Sequence, residues 1–243
     1  MHRRGIEPLT ARFVAGYSIQ LSYRCKRWLH HRGSAAYLSR VFIMIPQTID
    51  WEAQWSLFAP GFKDGLAHID LENGHVLKLK PGGGFGDLSH PTTKLMLDLM
   101  KLYVKNKFII DIGSGSGILT LAALLLGAQK GHGIDIEDEA ISHAKENALL
   151  NNLEKKCVFT RPEKLKKGKE EPLILMNMIT IEQKQAWKAF SSLGKVKEGI
   201  IITSGVLNIQ KEEYLQLTTS WGWKLIHVAE EGEWLGFVFA LFY

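Results

Sequence analysis

Cysteine and long apolar runs are both scarce in this sequence. Its 243 residues include two cysteines, Cys25 and Cys157, so neither a disulfide framework nor a cysteine-based metal cluster is expected. The longest strongly apolar runs, Ile118 to Ala128 and Trp234 to Tyr243, are too short to cross a bilayer. These absences exclude a disulfide-stabilised secreted domain. They favour a cytoplasmic protein with no membrane partner, no disulfide and no metal.

Acidic residues are almost absent from residues 1–43, which hold eight Arg and Lys but one acid, Glu7. The other 200 residues hold 22 basic and 24 acidic residues, so the net charge of +5 originates in the first segment. The bulk of the chain therefore carries no general nucleic-acid signal. As a domain, the basic N-terminal segment is taken as 1–47, either disordered or part of a mis-annotated start. For residues 1–43 three interpretations stay open: a targeting segment, a basic arm that touches RNA, or residues upstream of a true start at Met44.

Residues 48–84 are expected to form a linker and a β-hairpin. Two alternating segments, Leu66–Leu71 and Val76–Lys80, are separated by an Asn-Gly pair, which is a strong hairpin pattern. A glycine-rich stretch then interrupts regular structure. We assign the remaining residues, 85–243, to one larger domain.

Strands and helices alternate in this larger domain from residue 108 onward. Strand-like segments separated by helical ones begin at Phe108, Lys130, Cys157, Pro172 and Gly199. Such alternation predicts a mostly parallel sheet with helices on both faces. The last two strands, Leu225–Ala229 and Trp234–Phe242, are joined by a short turn and must be antiparallel. The expected fold is therefore α/β and Rossmann-like, with seven strands and one reversed strand at the end.

The segment 108–117, Phe-Ile-Ile-Asp-Ile-Gly-Ser-Gly-Ser-Gly, predicts a strand, a tight turn and a helix N-terminus. Glycine lets the backbone turn sharply beside a ligand, and the helix N-terminus supplies free N–H groups. In a dinucleotide-binding turn that begins Gly113-x-Gly115, the third glycine would come one residue later than Gly117. Asp135, at the end of the next strand, can accept hydrogen bonds from both ribose hydroxyls. We therefore expect a nucleotide-like ligand, and a nicotinamide dehydrogenase is disfavoured.

The acids around this turn carry a resemblance to a known class of site. Together with the three glycines, Asp111 and Asp135 resemble the S-adenosylmethionine site of class I methyltransferases. The resemblance implies S-adenosylmethionine as the cofactor, with Asp111 meeting its ammonium group and Asp135 holding its ribose. It also implies that Gly113 and Gly115 pass close to the ligand. A purely structural alternative stays open, in which Asp111 caps the turn and Asp135 caps the next helix.

A second resemblance is more specific. Residues 85–93, Phe-Gly-Asp-Leu-Ser-His-Pro-Thr-Thr, are similar to the Phe-Gly-Thr-Gly-Thr-His-Pro-Thr-Thr segment of the ribosomal protein L-eleven methyltransferase family (PrmA-type). Segments that also agree with this family lie at Asp50-Trp51 with Trp55, Ala144–Ala148 with Asn151, Met176–Ile179 and Glu231–Trp234. The resemblance extends from about residue 48 to the end. It implies an S-adenosylmethionine-dependent enzyme that N-methylates protein lysines or amino-terminal amines.

The family resemblance also implies roles for individual side chains. In that family the histidine-containing segment closes over the cofactor, which implies cofactor or active-site contacts for Phe85, Gly86, His90, Thr92 and Thr93. Asn177 would lie beside the transferable methyl, where its side-chain carbonyl could orient an amine nucleophile. His90 and Asn177 are therefore the candidate catalytic residues, and Asn177 is also a candidate cofactor contact.

Two departures from the family limit what the resemblance implies. Asp87 and Leu88 replace a Thr-Gly pair, which puts a charge and a bulky side chain into a small loop. The residues before the linker do not show the pattern of the compact α+β module that docks the ribosomal protein in that family. A protein substrate, with a large-subunit ribosomal protein as the candidate, is therefore expected by resemblance alone. An RNA or small-molecule acceptor, and a cofactor-binding descendant without turnover, stay open.

Overall fold

The structure is a computed structural model that describes residues 51–59, 61–72, 74–82, 90–165, 171–192 and 198–241. These residues belong to one compact unit that spans residues 50–243. The predicted contacts Phe85 and Gly86, and the basic segment 1–47, lie outside the described residues. In the part of the chain that is described, no helix is long and apolar enough to cross a membrane.

The described chain begins with a short helix and a hairpin. Helix α1 (Trp51–Phe58) is followed by strands β1 (Ala67–Asp70) and β2 (Val76–Leu79), which pair in antiparallel register with Ala67 opposite Leu79. Alternate side chains of both strands are buried, as expected for a hairpin with one face on a core. The predicted hairpin is confirmed.

A seven-stranded sheet and its helices make up the rest of the unit. In chain order its elements are α2 (Pro91–Met100), β3 (Phe108–Ile112), α3 (Ile118–Leu125), β4 (Lys130–Ile134), α4 (Asp138–Leu150), β5 (Cys157–Thr160), β6 (Pro172–Asn177), α5 (Thr180–Ser192), β7 (Gly199–Leu207), α6 (Lys211–Ser220), β8 (Trp223–Glu231) and β9 (Trp234–Leu241). The spatial order of the strands is β5-β4-β3-β6-β7-β9-β8. Strands β3 to β7 are mutually parallel, and β9 is antiparallel to both of its neighbours.

The predicted fold class is confirmed, with a refinement in the position of the reversed strand. This strand is the last one in the described chain, as expected, but it lies between β7 and β8 and not at an edge of the sheet. Side chains are buried all along β9 from Leu235 to Leu241, whereas β8 exposes those from Lys224 to His227. The more apolar strand therefore takes the internal position, where it is covered on both sides.

Alternate residues of the strands point into two core layers, one on each face of the sheet. One layer takes Ile109, Leu173 and Ile202 and is covered by helices α2, α3 and α4 and by the hairpin. The other takes Ile110, Ile174 and Ile201 and is covered by helices α5 and α6. This period-two division is expected of strands buried on both faces. The carboxyl ends of the parallel strands all reach one edge of the sheet, where ligands bind in open α/β folds.

Candidate active site

The glycine turn leaves the carboxyl end of β3 and leads into α3. Gly113, Gly115 and Gly117 have φ angles of +73°, +52° and +81°, so all three lie in the left-handed region that favours glycine. A Cβ on Gly113 would collide with Met178 Cε, and one on Gly117 would lie 3.0 Å from Phe159 Cζ. Backbone conformation and close packing therefore both require glycine in this turn.

Asp111, in β3 just ahead of this turn, is buried and bonded to the first turn of α3. Its Oδ2 accepts hydrogen bonds from Thr120 N at 3.2 Å and from Thr120 Oγ1 at 2.7 Å. Burial raises the pKa of Asp111 to about 7, against the effect of the Thr120 hydrogen bonds and with a contribution from the charge of Asp135. Since a helix start has unpaired N–H groups, these contacts give Asp111 a capping function.

Asp135 directly follows β4 and is hydrogen-bonded both to the glycine turn and to the residue that precedes α4. Its Oδ2 accepts a hydrogen bond from Gly115 N at 3.0 Å, and its Oδ1 accepts one from Glu137 N at 3.1 Å. Burial raises the pKa of Asp135, while these N–H groups and the positive charge of Arg161 act in the opposite direction. A carboxylate has about four lone-pair sites, so each oxygen can accept a further bond from a ligand hydroxyl.

Asn177 ends strand β6 beside helix α2. Its Nδ2 donates to Thr93 Oγ1 at 3.4 Å, a long contact that brings together two of the predicted residues. Its Oδ1 is buried and has no hydrogen-bond partner among the described residues. A buried carbonyl oxygen without a partner is costly, so this atom fits a donor supplied by a ligand.

His90 is the N-cap residue of α2. Thr92 N donates to its Nδ1 at 3.3 Å, and Thr92 Oγ1 lies 2.8 Å from the same nitrogen. Because an N–H group can only donate, Nδ1 is the accepting nitrogen of the ring. The ring also packs edge-on against Trp234, with 4.9 Å between ring centroids. The structure thus gives His90 a capping role, and its catalytic role stays a prediction.

Two residues near the site were not predicted from the sequence. Thr120 binds Asp111, and it is the single polar residue among the eight of α3, which is a signal that could have drawn attention to it. Glu182 is partly buried near Asp135; burial chiefly raises its pKa, the N–H of Ile179 acts in the opposite direction, and the Asp135 charge adds to the rise. Its place three residues after Ile179 is that of an acid that pairs with the start of a helix.

These residues fit a ligand that carries a sugar and a cationic group. Gly113 is exposed at the open side of the turn, Asp135 has spare lone pairs for hydroxyls, and Asp111 and Glu182 add carboxylates. Asn177 Oδ1, at the end of the neighbouring strand β6, offers an unused acceptor. Among the residues that the structure describes, no group of three or more His, Cys, Asp or Glu could hold a metal ion.

The strand order with an internal reversed strand, together with the Asp-x-Gly-x-Gly-x-Gly turn after β3, is that of the Rossmann-like fold of class I methyltransferases. Residues 58–241 match the family described as Ribosomal protein L11 methyltransferase (PrmA). The chain therefore belongs to this family, and the resemblance noted from its motifs is confirmed.

Individual relatives agree with this assignment. The chain is 28% identical over 211 residues to the ribosomal protein L11 methyltransferase of Staphylococcus saprophyticus, an alignment covering 80% of this chain and 67% of the relative. It is 35% identical over 157 residues to that of Tolumonas auensis, covering 64% and 53%. The crystal structure of a ribosomal protein L11 methylase from Lactobacillus delbrueckii subsp. bulgaricus superposes with a TM-score of 0.58 at 28% identity, covering 68% and 84%. The chain thus spans about half to two thirds of the length of its curated relatives.

Proposed function

We propose that this protein transfers a methyl group from S-adenosylmethionine to an amine of a protein substrate. The observation that carries the proposal is the buried Oδ1 of Asn177, which has no partner among the described residues and lies at the carboxyl end of β6. Membership of the PrmA family supports the reaction type. Because the chain spans about half to two thirds of the length of its curated relatives, the particular substrate is to be identified by experiment.

The glycine turn would hold the cofactor. In this proposal Gly113 and Gly115 lie against the ligand, Asp135 accepts hydrogen bonds from the ribose hydroxyls, and Asp111 faces the ammonium group. Thr92 and Thr93, which are both buried at the start of α2, would also contact the cofactor. S-adenosylmethionine supplies a methyl group on a positively charged sulfur, so positioning of the acceptor accounts for much of the catalysis.

Asn177 would orient the acceptor amine. A lysine amine must be neutral to attack, and its ordinary pKa is about 10.4, so desolvation beside the site has to lower that pKa. Asn177 Oδ1 can accept an N–H bond from the amine and thereby direct the nitrogen lone pair. The contact between Asn177 Nδ2 and Thr93 Oγ1 limits rotation of the carboxamide and supports this orientation.

A large-subunit ribosomal protein is the substrate that we propose, because the similar proteins are named for ribosomal protein L11. Asp135 and Asn177 each directly follow a residue paired with Ile112, so they lie at the same edge of the sheet, and Glu182 lies near Asp135. These carboxylates would favour the approach of a positively charged lysine.

The test is to incubate the purified protein and cofactor labelled in the methyl group with lysate from cells that lack this protein. Labelled fractions are then treated with protease or ribonuclease and analysed by mass spectrometry, and Asn177→Ala protein is the matched control. We expect label on lysine or an amino terminus of a protein, and a rate of labelling lower by about 100-fold or more with Asn177→Ala. Label in RNA or a small molecule would contradict the protein substrate, and absence of cofactor binding in calorimetry would contradict the whole proposal.

A further inference from the structure

A buried carboxamide holds the end of β6 where this strand leaves the sheet. Gln183, in α5, is fully buried, and its Nε2 donates to Met178 O at 2.7 Å and to Ser204 O at 3.0 Å. Met178 N also donates to Ser204 O at 3.3 Å. Met178 directly follows Asn177, so Gln183 fixes the backbone next to the candidate catalytic side chain against the neighbouring strand β7.

Gln183 is itself held by a buried tyrosine hydroxyl, which a buried threonine hydroxyl in turn contacts. Tyr214 OH, in α6, donates to Gln183 Oε1 at 2.5 Å, and Thr203 Oγ1 lies 2.7 Å from the same tyrosine oxygen. Because the tyrosine proton is committed to Gln183, Thr203 is the donor in the second bond. If the Gln183 amide were flipped, its Oε1 would face the carbonyl oxygens of Met178 and Ser204, which cannot donate a hydrogen bond. The amide therefore has one favourable orientation.

Met178 is constrained from two further sides. A Cβ on Gly205, whose φ is +96°, would collide with Met178 O, so glycine allows this carbonyl to approach β7. The Met178 methyl lies against Gly113, since a Cβ there would collide with Met178 Cε. The same residue therefore contacts the buried network through its backbone and the glycine turn through its side chain.

We propose that Gln183 and Tyr214 are positioning residues that set the direction of the Asn177 side chain through the Met178 carbonyl. This inference rests on the proposed function, because it assigns both residues to the same methyl transfer. Neither residue is required to touch the cofactor or the acceptor. Burial raises the pKa of Tyr214, so its hydroxyl stays protonated and remains a donor at neutral pH.

Two variants and one control test the inference. Tyr214→Phe keeps the ring packing against Phe237, at 4.9 Å between centroids, and removes the donor to Gln183. Gln183→Leu removes both bonds to the strand ends. Thr218→Val is the control, because it deletes a hydroxyl of α6 that is buried to the same degree but bonds only to the carbonyls of Tyr214 and Leu215 in its own helix.

We expect kcat to fall about tenfold in Tyr214→Phe and further in Gln183→Leu, because orientation of the acceptor is lost. The Kd of S-adenosylmethionine should change less than about twofold, since binding contacts remain. Thr218→Val should lower the Tm and leave kcat intact. A kcat within about twofold of wild type in Tyr214→Phe would overturn the inference, and so would an equal loss in Thr218→Val.

A readout independent of turnover separates this inference from the proposed function. Protein labelled with ¹³C in the methionine methyl groups allows the Met178 signal to be followed, with Met178→Leu as the assignment variant. Tyr214→Phe should shift or broaden that signal, whereas Thr218→Val should not. If the wild-type protein is inactive but Tyr214→Phe shifts the Met178 signal, the methyl transfer is refuted and the hydrogen-bond network stands. If the wild-type protein is active but Tyr214→Phe leaves the Met178 signal unchanged, only the hydrogen-bond network is refuted.

Discussion

The two halves of the site differ in how their polar atoms are satisfied. In the glycine-turn half, which comprises residues 111–120 and Asp135, both carboxylates accept bonds from N–H groups of the chain itself, and Ser114 Oγ is a buried exception. In the β6 half, which comprises residues 177–183, Asn177 Oδ1 and Thr180 Oγ1 are buried without partners among the described residues. The turn is thus preorganised by the protein, whereas the β6 half has acceptor capacity that a ligand would complete.

Asn177→Ala tests the difference between the two halves most directly. It removes the unused acceptor, and we expect kcat to fall by about 100-fold or more, as on loss of one preorganised group at a reacting centre. The cofactor should still bind, because the glycine-turn half is untouched. Methyl transfer and calorimetric binding, measured on the same preparation, check this. Equal losses in both measurements would show that the halves do not act separately.

Gly113→Ala tests the junction of the two halves. The new Cβ would collide with Met178 Cε and displace the turn that faces the ligand, so we expect the cofactor Kd to rise by about tenfold or more. At a φ of +73° the alanine is also strained, which costs about 1–2 kcal/mol of stability. Gly222→Ala is the matched control, because it has a similar φ of +82° but nothing within 4 Å of its Cβ. Thermal unfolding and calorimetry separate strain from binding. Comparable loss of binding in the control would contradict the role of the collision.

Asp111 predicts opposite pH dependences for stability and for binding. Its pKa is about 7 in the folded protein against 3.8 for a free side chain, so the folded state binds the proton more tightly. This contribution to stability is present below about pH 4 and is lost as pH rises toward 7. Binding of a cationic ammonium favours the ionised form, so the affinity for S-adenosylmethionine should rise about tenfold from pH 6 to pH 8.

The matching measurements for Asp111 are urea unfolding of the protein alone and calorimetry with S-adenosylmethionine, each repeated with Asp111→Asn. Both pH dependences should flatten in this variant, because it cannot ionise. Adenosine, which has no ammonium group, serves as the control ligand. A rise of affinity with pH that persists in Asp111→Asn would assign it to another residue.

Asn147→Ala should affect stability more than turnover. Its Oδ1 accepts from Lys80 N at 2.8 Å and its Nδ2 donates to Ser116 O at 2.9 Å, so it ties the hairpin to the glycine turn. The loss of these buried partners should cost about 1–3 kcal/mol of stability and change kcat no more than about twofold. Asn151→Ala, which breaks bonds to Lys78 at a more exposed position, should cost less in urea unfolding. The reverse order would contradict the importance of burial here.

Local patterns in the sequence predicted the parts of the site that depend on neighbours in the chain. The glycine turn, the strand that leads into it and the hairpin are each encoded within a few residues, and their elements are present in the structure. The internal position of β9 was not predictable in this way, because it depends on competition between two strands for the interior of the sheet. The network of Gln183 and Tyr214 joins residues 31 positions apart and has no local pattern.

The internal position of β9 has a consequence for the order of folding. Until this strand is in place, β7 has an unpaired edge along its whole length, and β8 has no neighbour in the sheet. Chains emerge during synthesis at about 5–20 residues per second, so β7 is exposed for seconds before β9 arrives. An unpaired apolar edge is a template for pairing with another chain. The nascent protein is therefore expected to expose an aggregation-prone edge in the interval between the appearance of β7 and that of β9.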